Sequence, residues 1–133
     1  MQRKFHLLYL SLGLACVLAL YNFLATRFYL YWTVWWGDNL AHFLGGVMLT
    51  SLAIWFVYVS RRAKPRSKRV SFLVAFIFTM LIALMWEIFE YKIGATQSTE
   101  SYSLDILHDL LSDALGAVIG WLVATSKHLS IYG

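Results

Sequence analysis

The sequence predicts an all-α, polytopic membrane protein, a bundle of four transmembrane helices, and three observations carry that expectation. Of its 133 residues 60% are hydrophobic and 17% aromatic, against roughly half apolar in soluble domains, and the mean hydropathy is +0.65. Four runs approach the roughly 20 apolar residues needed to cross a bilayer core. The charges are segregated: basic residues gather in a few short stretches, and six of the seven acids lie inside or at the ends of the apolar runs.

The first span is expected at 5–26. Met1-Gln-Arg-Lys4 ahead of it resembles the start of a signal peptide, but the apolar run is long and no small-residue cleavage site follows, so it reads as a retained helix. Residues 27–37 hold six aromatics in a run too short to span and are expected along the outer headgroup boundary as an anchor. The second span follows at 38–59. A solvated basic loop, 60–69, contains Arg61, Arg62, Lys64, Pro65, Arg66, Lys68 and Arg69.

The third span is expected at 70–91, and a polar outer loop at 92–104 leads into the fourth at 105–125. The fourth is the least apolar because its first two turns carry acids. As a surface helix, however, it would leave Ala114 to Ala124 apolar all round. No repeat or second domain is visible, so residues 1–133 form a single membrane domain.

Orientation follows from the basic residues of the short loops. Nine of the eleven Lys and Arg fall on one side: Arg3, Lys4, the six of the 60–69 loop, and Lys127. Only Arg27 and Lys92 fall on the other. Both termini are therefore expected inside, in a bacterial inner (cytoplasmic) membrane. The basic balance, with a pI near 9.3, comes from one linker between apolar spans and does not point to nucleic acid. Cys16 is the single cysteine, so neither a disulfide framework nor a thiolate metal site is expected. The surroundings are membrane lipid, and a homodimer is compatible with the sequence.

Ionisable groups in hydrocarbon cost about 2.5 to 3.5 kcal/mol each on insertion scales, so eight together mark a site. Asp38 and His42 are spaced i, i+4, Glu87 and Glu90 i, i+3, and Asp105, Asp109 and Asp113 i, i+4, i+8, with His108 one residue aside. Each helix thus offers one polar face. Antiparallel topology brings all eight to the outer half, where lipid cannot solvate them and the faces should turn inward.

Helix capping accounts for Asp38 and Asp105, which open their spans. It does not account for Glu87 and Glu90 near a helix C-terminus, nor for Asp109 and Asp113 beyond the first turn. Two like charges about 4 Å apart repel by roughly 4 kcal/mol at an effective dielectric near 20. Bound cations, shared protons or a water-filled vestibule must offset this.

Carboxylate and imidazole donors without sulfur suit one or two divalent ions, with Zn, Mn or Fe expected. The expected ligands are His42, Glu87, Glu90, Asp105, His108 and Asp109, with Asp38 or Asp113 as general base or as a partner behind the ligands. The pattern is similar to that of di-metal carboxylate bundles, although Glu87-x-x-Glu90 lacks their histidine. That favours hydrolytic over oxidative di-iron chemistry. Gly45-Gly46 and Gly116-x-x-x-Gly120 are expected to let the second and fourth spans approach closely. Asn22, at the depth of the cluster, is expected as a satisfied polar core residue, and His6 and His128 as plain interfacial ones.

Three segments resemble the shared pattern of the VanZ-like and YjdF-like bacterial membrane proteins. They are Asp38-Asn-Leu-Ala-His42-Phe43 with Gly45 or Gly46, then Trp86-Glu87-Ile-Phe-Glu90, then Asp105-Ile-Leu-His-Asp109-Leu-Leu-Ser-Asp113 running into Leu115-Gly116-Ala117. The resemblance covers about two-thirds of the chain. It departs from many relatives at Asn39, where they carry Lys or Arg, and at His108. It implies a small inner-membrane protein and, through the link of VanZ-like members with glycopeptide resistance, cell-envelope chemistry.

The resulting expectation is a metal-dependent hydrolase acting on an envelope lipid or lipid-linked substrate. A cation or proton relay is the first rival. It requires polar residues across the inner half, where the third span reads as apolar apart from Ser71 and Thr79. The second rival is a non-catalytic binding or assembly protein whose acidic vestibule grips a cationic group or a partner.

Overall fold

The computed structural model describes residues 5–59, 67–94 and 101–126, and among these there is no strand. Five helices follow one another: α1 (His6–Arg27), the short α2 (Leu30–Thr33), α3 (Gly37–Ile54), α4 (Lys68–Ile93) and α5 (Tyr102–Ala124). All but α2 are long and apolar enough to cross a membrane. The chain is thus an all-α multi-pass membrane protein. Many large apolar side chains point outward, Leu20, Phe23, Leu81, Met85 and Leu115 each more than half exposed, as a lipid-facing surface requires. The N-terminal residues with Arg3 and Lys4, the loop positions Arg61, Arg62, Lys64, Pro65 and Arg66, residues 95–100, and Lys127 with His128 lie outside the described residues.

Local chemistry sets the boundaries. Ser67 caps α4 by accepting from the Val70 N–H at 3.2 Å, and Gly94 ends it in the left-handed region at φ 68°, a conformation glycine adopts without steric cost. α4 is therefore longer at both ends than the apolar run alone indicates. α5 begins at Tyr102, so Asp105 lies within the first turn and Ser101 occupies the N-cap without a side-chain cap bond. Asp38 likewise lies one residue inside α3. Neither acid is a cap, although both sit where the helix dipole favours negative charge.

The aromatic segment folds back against the bundle. Tyr29 turns the chain at φ 57°, and α2 then presents Tyr31 inward, 7% exposed, while Trp35 is 84% exposed. Tyr31 donates to Asn22 Oδ1, Tyr21 donates to the Gly37 carbonyl at 2.7 Å, and the two rings meet edge to face. Burial first, and then the Asp38 carboxylate, push the Tyr31 phenol above its usual range, so it remains a protonated donor. Asn22 itself is exposed, in contrast to its expected place in the core.

α3 is the central helix: α1, α4 and α5 all pack on it, α5 most extensively. Glycines make that α3–α5 contact possible. A Cβ at Gly46 would collide with the Asp113 carbonyl, one at Gly116 with the Phe43 carbonyl, and one at Gly120 would lie 2.9 Å from the Val47 carbonyl. Ser112 adds a hydrogen bond to Asn39 Oδ1 at 3.3 Å.

The two ends of the bundle differ in kind. Leu7, Ala53, Ile54, Tyr58, Ala75 and Ala124 form an apolar core at one end, beside a π-helical turn, Trp55–Val59, that extends α3. The acids gather at the other. Between them Thr50 and Thr79, both 0% exposed, share a hydrogen bond of 2.8 Å that ties α3 to α4. Replacing Thr79 by valine should cost about 1 kcal/mol, the scale of interhelical hydrogen bonds in membranes. Chemical unfolding in detergent against wild type checks this, and an unchanged midpoint would contradict it.

Candidate metal centre

Helical periodicity brings the polar groups to one place. α3 contributes Asp38 and His42 from its first two turns, α4 contributes Glu87 and Glu90 from its last two, and α5 contributes Asp109 and Asp113. His42 is 8% exposed, Glu87 5%, Asp109 2% and Asp113 3%, a degree of burial that ionisable residues reach only when paired or ligating.

The imidazole of His42 organises the cluster. Its Nδ1 donates to Asp113 Oδ2 at 2.8 Å, and in the neutral ring this puts the lone pair on Nε2, the atom that faces the other acids. Around Nε2 lie Glu87 Oε1 at 3.8 Å, Asp38 Oδ1 at 3.9 Å and Asp109 Oδ2 at 3.9 Å. These separations exceed a hydrogen bond. Two ligands about 2.1 Å from a tetrahedral ion lie roughly 3.4 Å apart, so 3.8 Å needs only a small contraction to close on a common ion. Glu87 Oε1 is also fully buried and has no hydrogen-bond partner among the described residues, a condition that costs about 1 to 3 kcal/mol or more unless something satisfies it.

The donors fall into two sets that share His42, one with Asp38 and Asp109 and one with Glu87 and Glu90; within each set the ligand atoms lie within 4.8 Å of one another. With Nδ1 committed to Asp113, Nε2 can serve one ion, so the two sets compete. Asp105 is partly buried and in neither set, and His108 is exposed and in neither. The helical wheel explains the division. At about 100° per residue, His108 lies about 100° round from Asp109 and so leaves the face, whereas Asp105, only about 40° from Asp109, is set apart by lying about 6 Å nearer the start of the helix.

A cavity of about 280 Å³ reaches the cluster from its α1 side. Asp38, His42, Glu90 and Asp113 line its polar end, together with Tyr31 and Asn22. Tyr31 carries no sequence signal beyond membership of an aromatic run, and its part in the site comes from the fold-back of α2.

The family comparison covers nearly all of this architecture. A family model described as "Predicted membrane protein (DUF2238)" matches residues 1–129, which include all four long helices and every member of the cluster. The chain belongs to the DUF2238 family. No curated protein and no solved structure matches it. Membership in DUF2238 supports the expected class, a membrane protein family, but does not carry the VanZ-like or YjdF-like names.

Proposed function

We propose that the cluster holds one divalent cation, Zn, Mn or Fe, and serves hydrolysis of an envelope lipid or lipid-linked substrate in the bacterial cytoplasmic membrane. The observation that carries this reading is the His42 imidazole, held at Nδ1 by a carboxylate and turning Nε2 toward a buried carboxylate oxygen that has no hydrogen-bond partner among the described residues. A carboxylate behind a histidine is the usual arrangement around metal-ligating imidazole.

The Glu87 oxygen, without a hydrogen bond among the described residues, favours the set His42, Glu87 and Glu90 as ligands. When bound, the cation would polarise a substrate oxygen and acidify water. Asp38 borders the cavity and is placed to accept the proton, Asp113 positions His42, and Asp109 adds negative charge beside Nε2. With both termini inside, as the loop charges indicate, the site opens in the outer half of the bilayer.

A relay across the membrane gains less support. Thr50, Ser51, Ser71 and Thr79 are all buried, more hydroxyls than the third span alone suggests, but Thr50 and Thr79 satisfy each other and Ser71 donates back to the Lys68 carbonyl of its own helix.

Elemental analysis of protein extracted in mild detergent, before and after incubation with Zn, Mn and Fe, tests the proposal. One equivalent of transition metal per chain is expected, retained in His108→Ala and lost in the Glu87→Ala, Asp109→Ala double variant. Well-folded wild-type protein that takes up none would overturn it.

A further inference from the structure

The cavity extends well beyond the cluster, and its shape has a direction. From the polar end at Asn22, Asp38 and Glu90 it continues inward with His42 and Asp113 on one wall and Leu18, Ala41, Met48, Leu49 and Ile82 on the others. Ten residues of α3 separate Asp38 from Met48 and eight of α4 separate Glu90 from Ile82, about 15 Å and 12 Å along the helices at 1.5 Å per residue. That is close to half of the roughly 30 Å hydrocarbon thickness, the depth of one leaflet.

The cavity also has a side opening. α1 packs chiefly on α3, and α4 on α5 and α3, with little contact between α1 and α4. Asn22 on α1 and Trp86 on α4 both line the cavity and both are exposed, which places its mouth between these two helices, facing lipid. At about 280 Å³ it lies at the small end of ligand sites, about 300 to 1,000 Å³. It has room for one hydrocarbon chain and not for a two-chain lipid.

We propose that this cleft seats one acyl chain of a membrane lipid, admitted sideways between α1 and α4, with the junction between chain and headgroup held at the polar end beside Asn22, Tyr31 and Glu90. The lining is polar toward the Asp38 end and along the His42 and Asp113 wall, and apolar at the Met48, Leu49 and Ile82 end, as an amphiphile entering chain first requires. The apolar stretch replaces lipid around the chain, and the polar end receives the ester or phosphate region at the depth where it already lies in the leaflet. Leu49 and Ile82 set the chain length accepted. The inference rests on the hydrolytic reading only in making the junction the bond acted on; the seat of the chain stands on the cavity.

Photolabelling tests this in the full-length protein reconstituted in phosphatidylethanolamine and phosphatidylglycerol vesicles, doped with a phospholipid carrying a diazirine midway along one acyl chain. Adducts mapped by mass spectrometry are expected on Met48, Leu49 and Ile82 in excess of those on the lipid-facing Leu20, Phe23 and Leu81. In Leu49→Trp the cavity adducts should fall roughly tenfold, the occupancy lost when about two methylenes are displaced, while metal content stays at the wild-type level. Adducts confined to the lipid-facing residues of wild-type protein would overturn the proposal, whether or not Leu49→Trp folds. Cavity adducts in protein that binds no metal would support the chain seat and sink the hydrolytic reading alone.

Discussion

Protein with alanine in place of His42 is expected to retain no stoichiometric transition metal after purification. Among the described residues His42 is the one imidazole in either donor set, and both sets depend on it. Its loss should weaken binding by more than the roughly 10- to 100-fold that follows loss of a partner behind a ligand. Asp113→Asn should show that smaller effect. It leaves the fold and Nε2 in place but replaces the carboxylate 2.8 Å from Nδ1 with an amide, which makes the imidazole a weaker donor and loosens its tautomer. Competition against a metal-sensitive dye, read on monodisperse protein, distinguishes the two. His42→Ala and Asp113→Asn binding with wild-type affinity would remove histidine from the site and with it the reading as a metal centre.

Much of this arrangement is legible in the sequence because helices in lipid leave few choices. An acid every three or four residues defines a face, and lipid forces that face inward. The convergence of Asp38, His42, Glu87, Glu90, Asp109 and Asp113 follows from spacing and antiparallel order alone. Close approach of the second and fourth spans is also written in Gly46, Gly116 and Gly120, whose missing side chains leave the space that the opposite backbone occupies.

The finer assignments are harder for equally physical reasons. Adjacent residues on a helix differ by about 100°, so His108 and Asp109, neighbours in sequence, take opposite environments, exposed and buried. Which face of α5 wins depends on where the glycines let it sit against α3, a tertiary fact. The pairing of Asp113 with Nδ1 rather than Nε2 depends on a ring orientation that spacing does not encode. The inward place of Tyr31 depends on a left-handed turn at Tyr29, a residue type that seldom adopts one. The cavity is least legible of all, because it consists of what α1 and α4 fail to fill.

The second large effect is expected at a distance from the acids. In Gly116→Ala the new methyl meets the Phe43 carbonyl, and in Gly46→Ala it meets the Asp113 carbonyl. Backbone cannot rotate aside as a side chain can. The two helices must separate, and overpacking of this kind costs about 1 to 3 kcal/mol per site. The same separation draws α5 away from α3, and the proposed metal site depends on the hydrogen bond between Asp113 and His42 that joins those helices. Each glycine variant should therefore lose metal affinity together with stability, although neither glycine carries a donor atom. Gly45→Ala and Gly13→Ala are the controls. A Cβ at Gly45 reaches only ordinary contact with Asp113 Oδ1 at 3.8 Å, and one at Gly13 meets nothing within 4 Å, so Gly13→Ala should be neutral or up to about 1 kcal/mol stabilising through helix propensity. Thermal unfolding in detergent and metal titration of all four variants decide the matter. If Gly116→Ala and Gly46→Ala unfold at the same temperature as the controls, direct backbone contact between α3 and α5 is wrong, and the placement of Asp113 against His42 must be redrawn with it.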